Sequence, residues 1–404
     1  MLSDVRVLEI SAPGTMLAGQ ILGDLGADVV TLEPPGGASG RRLGPYVDGR
    51  PGLERGLTWH ALNRNKRGMT LDRRSADGRA ILADLIKHFD VLIEWVDEVS
   101  CLEGLERPET LVVCEISAFS RTGPKSRYAW TDAVLSAAGG APALSGDADR
   151  APLFFPVPQA MMEAGAEAAV AALAGLSARD RLDVAQTVHV QTRVAAMMST
   201  LGRMVVARSG DRVGRRGAPR SIGAMPVIPG MYECADGWVT ITVAFLAAFV
   251  AMTQRIAQWL VVEGELPPEI AGLDLYAAAQ AAMKGDSDGS DLQALADALA
   301  RACKRKTKAE LIEISRTYRF MAAPAMTMAD IAAFEHYRER GLFAPQTVGD
   351  KVVDAPARFA QFSDYEIGVR RPAPALSEHT VEILTVFAGL SEPEVQALFG
   401  QGVI

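Results

Sequence analysis

Residues 5–33, VRVLEISAPGTMLAGQILGDLGADVVTLE, decide the fold. Val5–Ile10 is a short apolar run suited to a strand buried on both faces, and Val29–Glu33 is a second one. Between them, Gly14–Gly26 has the spacing of a helix and carries glycines at 19, 23 and 26. Strand, helix and strand in this order make a βαβ unit with parallel strands. The unit invites a dinucleotide-binding reading. Against it, the loop after the first strand lacks G-x-G-x-x-G, and the three glycines fall inside the helix, where close packing on the sheet accounts for them.

Outward from this unit the alternation continues. Ser75 is a candidate N-cap for a helix reaching His88. Asp90–Trp95 (DVLIEW) and Leu111–Ser117 (LVVCEIS) are further apolar strands. Asp132–Ala138 starts a helix ending at Gly139-Gly140, Arg179–Asp183 reads as a charged turn, Gln186–Gln191 as a strand and Thr192–Ala207 as a helix. Strands alternating with helices predict an α/β chain with a doubly wound, Rossmann-like sheet. Residues 209–223, SGDRVGRRGAPRSIG, read as a linker. Beyond it, Gly230–Val243 alternates like a hairpin around Ala235-Asp236-Gly237, and helical patterns dominate from Phe245 to Ser315. Thr317–Pro345 reads as the way back, through a strand and a helix, and Val381–Phe387 and Glu392–Phe399 read as helices. The expected division is a large domain over residues 1–208, a linker over 209–224, a smaller α+β domain over 225–325 and a return to the large domain over 326–404.

Composition narrows the function classes. A net charge of −8 and a pI near 5.3 speak against nucleic acid as the main partner, since phosphate neutralisation needs clustered Lys and Arg. The four cysteines, 101, 114, 234 and 303, stand far apart without C-x-x-C spacing. That suits reduced thiols in the cytoplasm and neither a disulfide frame nor a metal site. Val243–Met252, the longest apolar run, is too short to span a membrane, and MLSDVRVLEI lacks the pattern of a signal peptide.

The stretch Leu153–Leu176, LFFPVPQAMMEAGAEAAVAALAGL, reads as strand, turn and small-residue helix, the arrangement that brings free helix amides to a carboxylate or oxyanion. Its first helical residues, Ala160, Met161 and Met162, can neither attack nor protonate, and the first ionisable group is Glu163. Arg41-Arg42, after the loop Pro34–Gly37, reads either as a phosphate contact or as a solvated charge pair. The basic loop Ser120–Arg127 reads either as an anion contact or as an ordinary exposed turn.

Five segments carry a resemblance: VRVLEIS…GDLGADVVTLEPPGG, ALNRNKRGMTLDRRSADGR, DVLIEW, GMYECADGWVTI and RRPAPALSEHTVEIL. In their order and spacing the chain resembles the family III CoA-transferases, the group that includes formyl-CoA, carnitine and benzylsuccinate CoA-transferases. The resemblance implies a large Rossmann-like domain built from both chain ends, a small domain between, and two protomers interlocked like linked rings. It also implies transfer of CoA between carboxylates through an aspartate nucleophile, with anhydride and aspartyl-CoA thioester intermediates. With Gly139-Gly140, Gly146 and Gly165 in the family's places, that aspartate falls on Met161. Leu71 and Arg74 stand where the family has a leucine and a basic residue for CoA. An adenine-side arginine has become Pro34, an asparagine Trp95 and a further arginine Glu103, where a carboxylate repels the pyrophosphate. The loop that screens the intermediate in some members is here Ala224–Pro229. The racemase branch needs a histidine where Thr131 stands, and none of the five histidines offers a triad; His379 reads as structural.

On the resemblance, the chain is expected to be a non-catalytic subunit in a heterodimer or heterotetramer. Its partner is a homologous chain that keeps the aspartate and binds most of the CoA thioester. Two alternatives stand beside this. In one, Glu163 makes the chain self-sufficient, although it lies roughly 200° round the helix from position 161. In the other, the chain is a non-enzymatic binding or regulatory homologue.

Overall fold

The computed structural model describes residues 1–147, 149–202, 204–205, 223–349 and 351–404. Of the expected linker, residues 209–222 lie outside the described residues. The chain divides into two compact units. The larger comprises Met1–Gly146, Pro152–Arg215 and Glu335–Ile404, and the smaller Asp147–Ala151 and Arg216–Phe334.

The larger unit is built on six parallel strands: β1 Arg6–Ile10, β2 Asp28–Glu33, β3 Lys66–Thr70, β4 Val91–Trp95, β5 Val112–Ser117 and β6 Thr187–Gln191. Their spatial order, 3-2-1-4-5-6, reverses direction between β1 and β4. Alternate residues face opposite layers, as the pleat requires. Leu8, Val30, Met69, Leu92 and Val113 pack under α3 (Ala76–Leu85) and the C-terminal helix Thr380–Phe387. Val7, Val29, Val91, Val112 and Cys114 pack under α1 (Met16–Asp24) and α6 (Gln159–Leu182). Burial on both faces is why the apolar runs are unbroken. α6 continues through the residues read as a charged turn and ends at Asp183, whose φ is 54°.

β3, sequence KRGMT, is wholly buried although it opens with two cations. Lys66 Nζ donates to Glu9 Oε2 at 2.6 Å, Asn63 Oδ1 at 2.8 Å and the Met16 carbonyl at 2.8 Å. Burial holds its pKa below the usual lysine range, and Glu9 opposes that shift. Asn63 belongs to α2 (Leu57–Asn63). His379 accepts the Gly68 amide at 3.2 Å, pinning the SEHT turn to β3.

The Arg41-Arg42 pair divides: Arg41 is neither solvated nor free for phosphate, while Arg42 is exposed. Arg41 is fully buried, paired through two nitrogens with the Glu33 carboxylate at 2.7 and 2.8 Å, and its guanidinium lies 3.9 Å from the Trp59 ring. Arg42 donates to the carbonyls of Gly36, Gly37 and Ala38. Both arginines therefore fasten the loop after β2; Arg41 has no donor to spare, whereas Arg42 is exposed to solvent.

The smaller unit has an antiparallel sheet, β7 Tyr232–Cys234, β8 Gly237–Ile241 and β9 Ala322–Pro324, covered by helices including Val250–Val262 and Ser290–Lys304. β9 pairs with β8, Ile241 opposite Ala322, so the strand expected to lead back to the large domain instead completes the small sheet. The return carries an unforeseen hairpin in the larger unit, β10 Phe343–Val348 and β11 Lys351–Pro356. All four cysteines are free and buried, and burial pushes the Cys114 and Cys303 thiols up to about 12. Among the described residues, no helix is long and apolar enough to cross a membrane, and no group of three His, Cys, Asp or Glu is placed to hold a metal.

Candidate active site at the start of α6

α6 crosses from β5 to β6, and its small residues fix how it lies. A Cβ on Gly165 would come within 3.0 Å of Leu17 Cβ. Further along, Cys114 Sγ donates to the Ala168 carbonyl at 3.6 Å, and a Cβ on Gly175 would meet Val112 at 2.7 Å. The helix thus runs antiparallel to β5, with its first turn at the C-terminal rim of the sheet, where open α/β folds bind ligands. The preceding run, Leu153–Phe155, is not the strand that its composition predicts. The outer edge of β5 is already paired with β6, and Leu153 and Phe155 are each 62 % exposed.

α6 opens after Pro158 without a side-chain cap of its own. Its partner comes from α4 (Asp132–Gly139): the Met161 amide donates to Asp132 Oδ1 at 2.9 Å, while Ser136 Oγ donates to Asp132 Oδ2 at 3.4 Å. Thr131 caps α4 by accepting the Val134 amide, which fixes where Asp132 stands. A carboxylate therefore does sit at the helix start, but it is supplied from another element. Sequence reasoning missed this role. The only sign of it was a Thr-Asp helix start that gave no hint of what it would face.

Beside this contact lies a cavity of about 550 Å³, bounded by α4, α5 (Ala141–Leu144), the start of α6 and the end of α7 (Thr192–Met198). Asp132, Ser136, Gln159, Glu163, Ser199 and Thr200 supply its polar groups, and Phe154, Phe155 and Val157 supply apolar wall. Glu163 lines it; Met161 does not. Burial, then the charges of Glu167 and Asp132, raise the Glu163 carboxyl above its ordinary range. A raised carboxyl binds its proton more tightly folded than unfolded, so its contribution to stability is present in acid and lost as pH rises through the folded value. Glu163→Gln is accordingly expected to melt higher than wild type at pH 7, with the difference closing as pH falls below the unfolded carboxylate value; equal melting at both pH values would contradict it.

The other residues singled out in the sequence are spread along the rim. Leu71, after β3, is 1 % exposed and belongs to the core, while Arg74 is exposed and its amide is held by Asp72 Oδ1. Trp95 ends β4, three strand positions from β3 and thus ~14 Å away. Pro34 and Glu103 are exposed, and Glu103 accepts Arg79 through its backbone carbonyl. Asp132 and Glu163 line the cavity described above, and Leu71, Arg74 and Trp95 are not part of its wall.

A parallel sheet of this order is the doubly wound, Rossmann-like arrangement, and residues 2–380 match one family specifically. The chain is a member of CoA-transferase family III. Succinyl-CoA:(R)-benzylsuccinate CoA-transferase subunit BbsE of Thauera aromatica is 28% identical over 100% of this chain and 98% of its own. Succinyl-CoA–D-citramalate CoA-transferase of Chloroflexus aurantiacus is 29% identical, again over 100% and 98%. The beta subunit of succinyl-CoA–L-malate CoA-transferase from that organism is 25% identical with the same coverage. Among solved structures, a CAIB/BAIF family protein from Brucella suis matches with a TM-score of 0.77 over 94% of this chain and 97% of that one, at 24% identity.

Proposed function

We propose that this chain is the non-catalytic subunit of a two-chain CoA-transferase that moves CoA from a donor such as succinyl-CoA to a carboxylic acid such as benzylsuccinate. The observation that carries the reading is at position 161. On the resemblance the family's nucleophilic aspartate falls there, and this chain presents a methionine whose amide is engaged by Asp132 and whose side chain does not line the adjoining cavity. A thioether cannot form the mixed anhydride that CoA exchange requires. Relatives named as subunits, BbsE and the succinyl-CoA–L-malate transferase beta chain, support a paired assembly. Leu153, Phe154, Phe155 and Val157, four large apolar residues exposed within five positions, support an extensive apolar contact with another chain.

The partner is a homologous chain that keeps the aspartate and holds most of the acyl-CoA, interlocked with this one in a heterodimer or a pair of heterodimers in the cytoplasm. Co-expression is expected to yield both chains in a 1:1 ratio that survives high salt, because linked protomers bury far more than the ~1,600 Å² of a standard interface. A monodisperse monomer, or a homodimer that transfers CoA unaided, would overturn the reading. A second reading makes Glu163 the nucleophile; its place on the cavity wall, which Met161 does not share, favours it.

A further inference from the structure

We infer that Trp95 and Trp130 determine why CoA is left to the partner: the two indoles fill the crevice in which this chain's own sheet would hold it. The inference rests on the subunit reading above and deepens it. In a sheet of order 3-2-1-4-5-6 the ligand crevice opens between the C-terminal ends of β1 and β4. Trp95, the last residue of β4, closes that opening. Its six-membered ring lies on Gly14, in the loop after β1, so closely that a Cβ there would stand 2.3 Å from Cε3. Its opposite neighbour is Trp130, with ring centroids 4.5 Å apart at 38°. Trp95 also packs on the cluster that includes Ala160, in the first turn of α6. The crevice is thus occupied from the β1 loop across to the start of α6.

The arrangement is fastened as well as packed. Both indole N–H groups donate to one acceptor, Asp97 Oδ1, each at 2.9 Å. A shared acceptor fixes the two rings relative to each other. The acceptor is itself a carboxylate; with Glu98, Arg121 and Arg127 it lines a cavity on the Trp130 side, so the charge there is mixed. The residues present do not fit CoA. An adenine or pantetheine arm needs the volume that Trp95 takes up, and of the two arginines near Asp97, Arg121 is already paired with Glu115 at 2.6 Å.

The test is equilibrium binding of CoA by calorimetry, with the full-length chain in its native assembly and the partner's aspartate replaced so that no turnover occurs. Trp95→Asn/Trp130→Gly is expected to add a second CoA site per pair of chains, at least about tenfold tighter than any binding wild type shows there. A double variant that keeps its circular dichroism and melting temperature yet adds no site overturns the inference. So does a wild-type assembly that already binds two CoA molecules per pair. Should the double variant not fold, Trp130→Gly alone leaves the Trp95–Gly14 contact in place and frees one side of the ring. It is expected to raise CoA affinity measurably, and an unchanged affinity again overturns the inference. A nucleophile found on this chain would sink the subunit reading; a folded double variant without a new site would sink the plug, whichever chain carries the nucleophile.

Discussion

Lys66→Met is expected to destabilise the larger unit by about 3–5 kcal/mol, the cost of breaking one side of a buried ion pair. Lys66 and Glu9 are both fully buried at 2.6 Å, and the ammonium has all three of its hydrogens placed, on Glu9, Asn63 and the Met16 carbonyl. Methionine fills similar volume but leaves Glu9 with only the longer contacts from Thr15 at 3.5 Å and Thr31 at 3.4 Å. Those hydroxyls are too weak as donors to hold a buried carboxylate ionised. Denaturant unfolding would measure the loss. Pairing the change with Glu9→Gln should recover much of it, since both charges are then gone together. A loss under about 1 kcal/mol for Lys66→Met would show that water reaches the pair and that the charge is not truly buried.

That same pair explains what the sequence could and could not disclose. β1, β2, β4 and β5 were legible because strands buried on both faces read as unbroken apolar runs. β3 was not, because Lys66 and Arg67 look like a solvated loop until their partners are known. Those partners are Glu9, Asp28 and Glu382, on two other strands and a C-terminal helix. Arg41 failed for the same reason: a cation beside a glycine loop looks exposed unless Glu33 and Trp59 are seen closing on it. The opposite error arose at Leu153–Phe155, where apolar composition suggested a strand but the run stays exposed and pairs with no strand of the sheet. At the site, the significance of Met161 came from the resemblance to the family, with the glycines at 139, 140, 146 and 165 in the family's places. The Asp132 carboxylate on its amide and the Trp95–Trp130 pair depend on loops returning to the rim from different strands, which spacing along one chain does not record.

The largest expected effect separates the two readings of the chemistry. On the subunit reading, replacing by asparagine the aspartate that the proposed partner keeps should lower the transfer rate by several orders of magnitude, whereas Glu163→Gln in this chain should leave it within a few-fold. The covalent sequence sets this contrast. A carboxylate oxygen attacks the thioester carbon of the donor and expels CoA thiolate, leaving a mixed anhydride. The thiolate then attacks the enzyme's own acyl carbon, releasing the donor acid and forming the enzyme thioester. The acceptor carboxylate and the same thiolate repeat the two exchanges in the opposite sense, restoring the free carboxylate. Every step passes through one side-chain carboxylate, so losing it removes the route and not merely a stabilising contact. Glu163 is poorly prepared for that role: burial and the neighbouring charges of Glu167 and Asp132 disfavour its ionised form, and ionised carboxylate is what must attack. Trapping the acyl-enzyme with hydroxylamine and locating the modified residue by mass spectrometry would decide the matter directly. An adduct confined to the partner's aspartate accords with a structural role for this chain. Modification of Glu163, together with near-total loss of activity in a folded Glu163→Gln enzyme, would make this chain the catalyst instead.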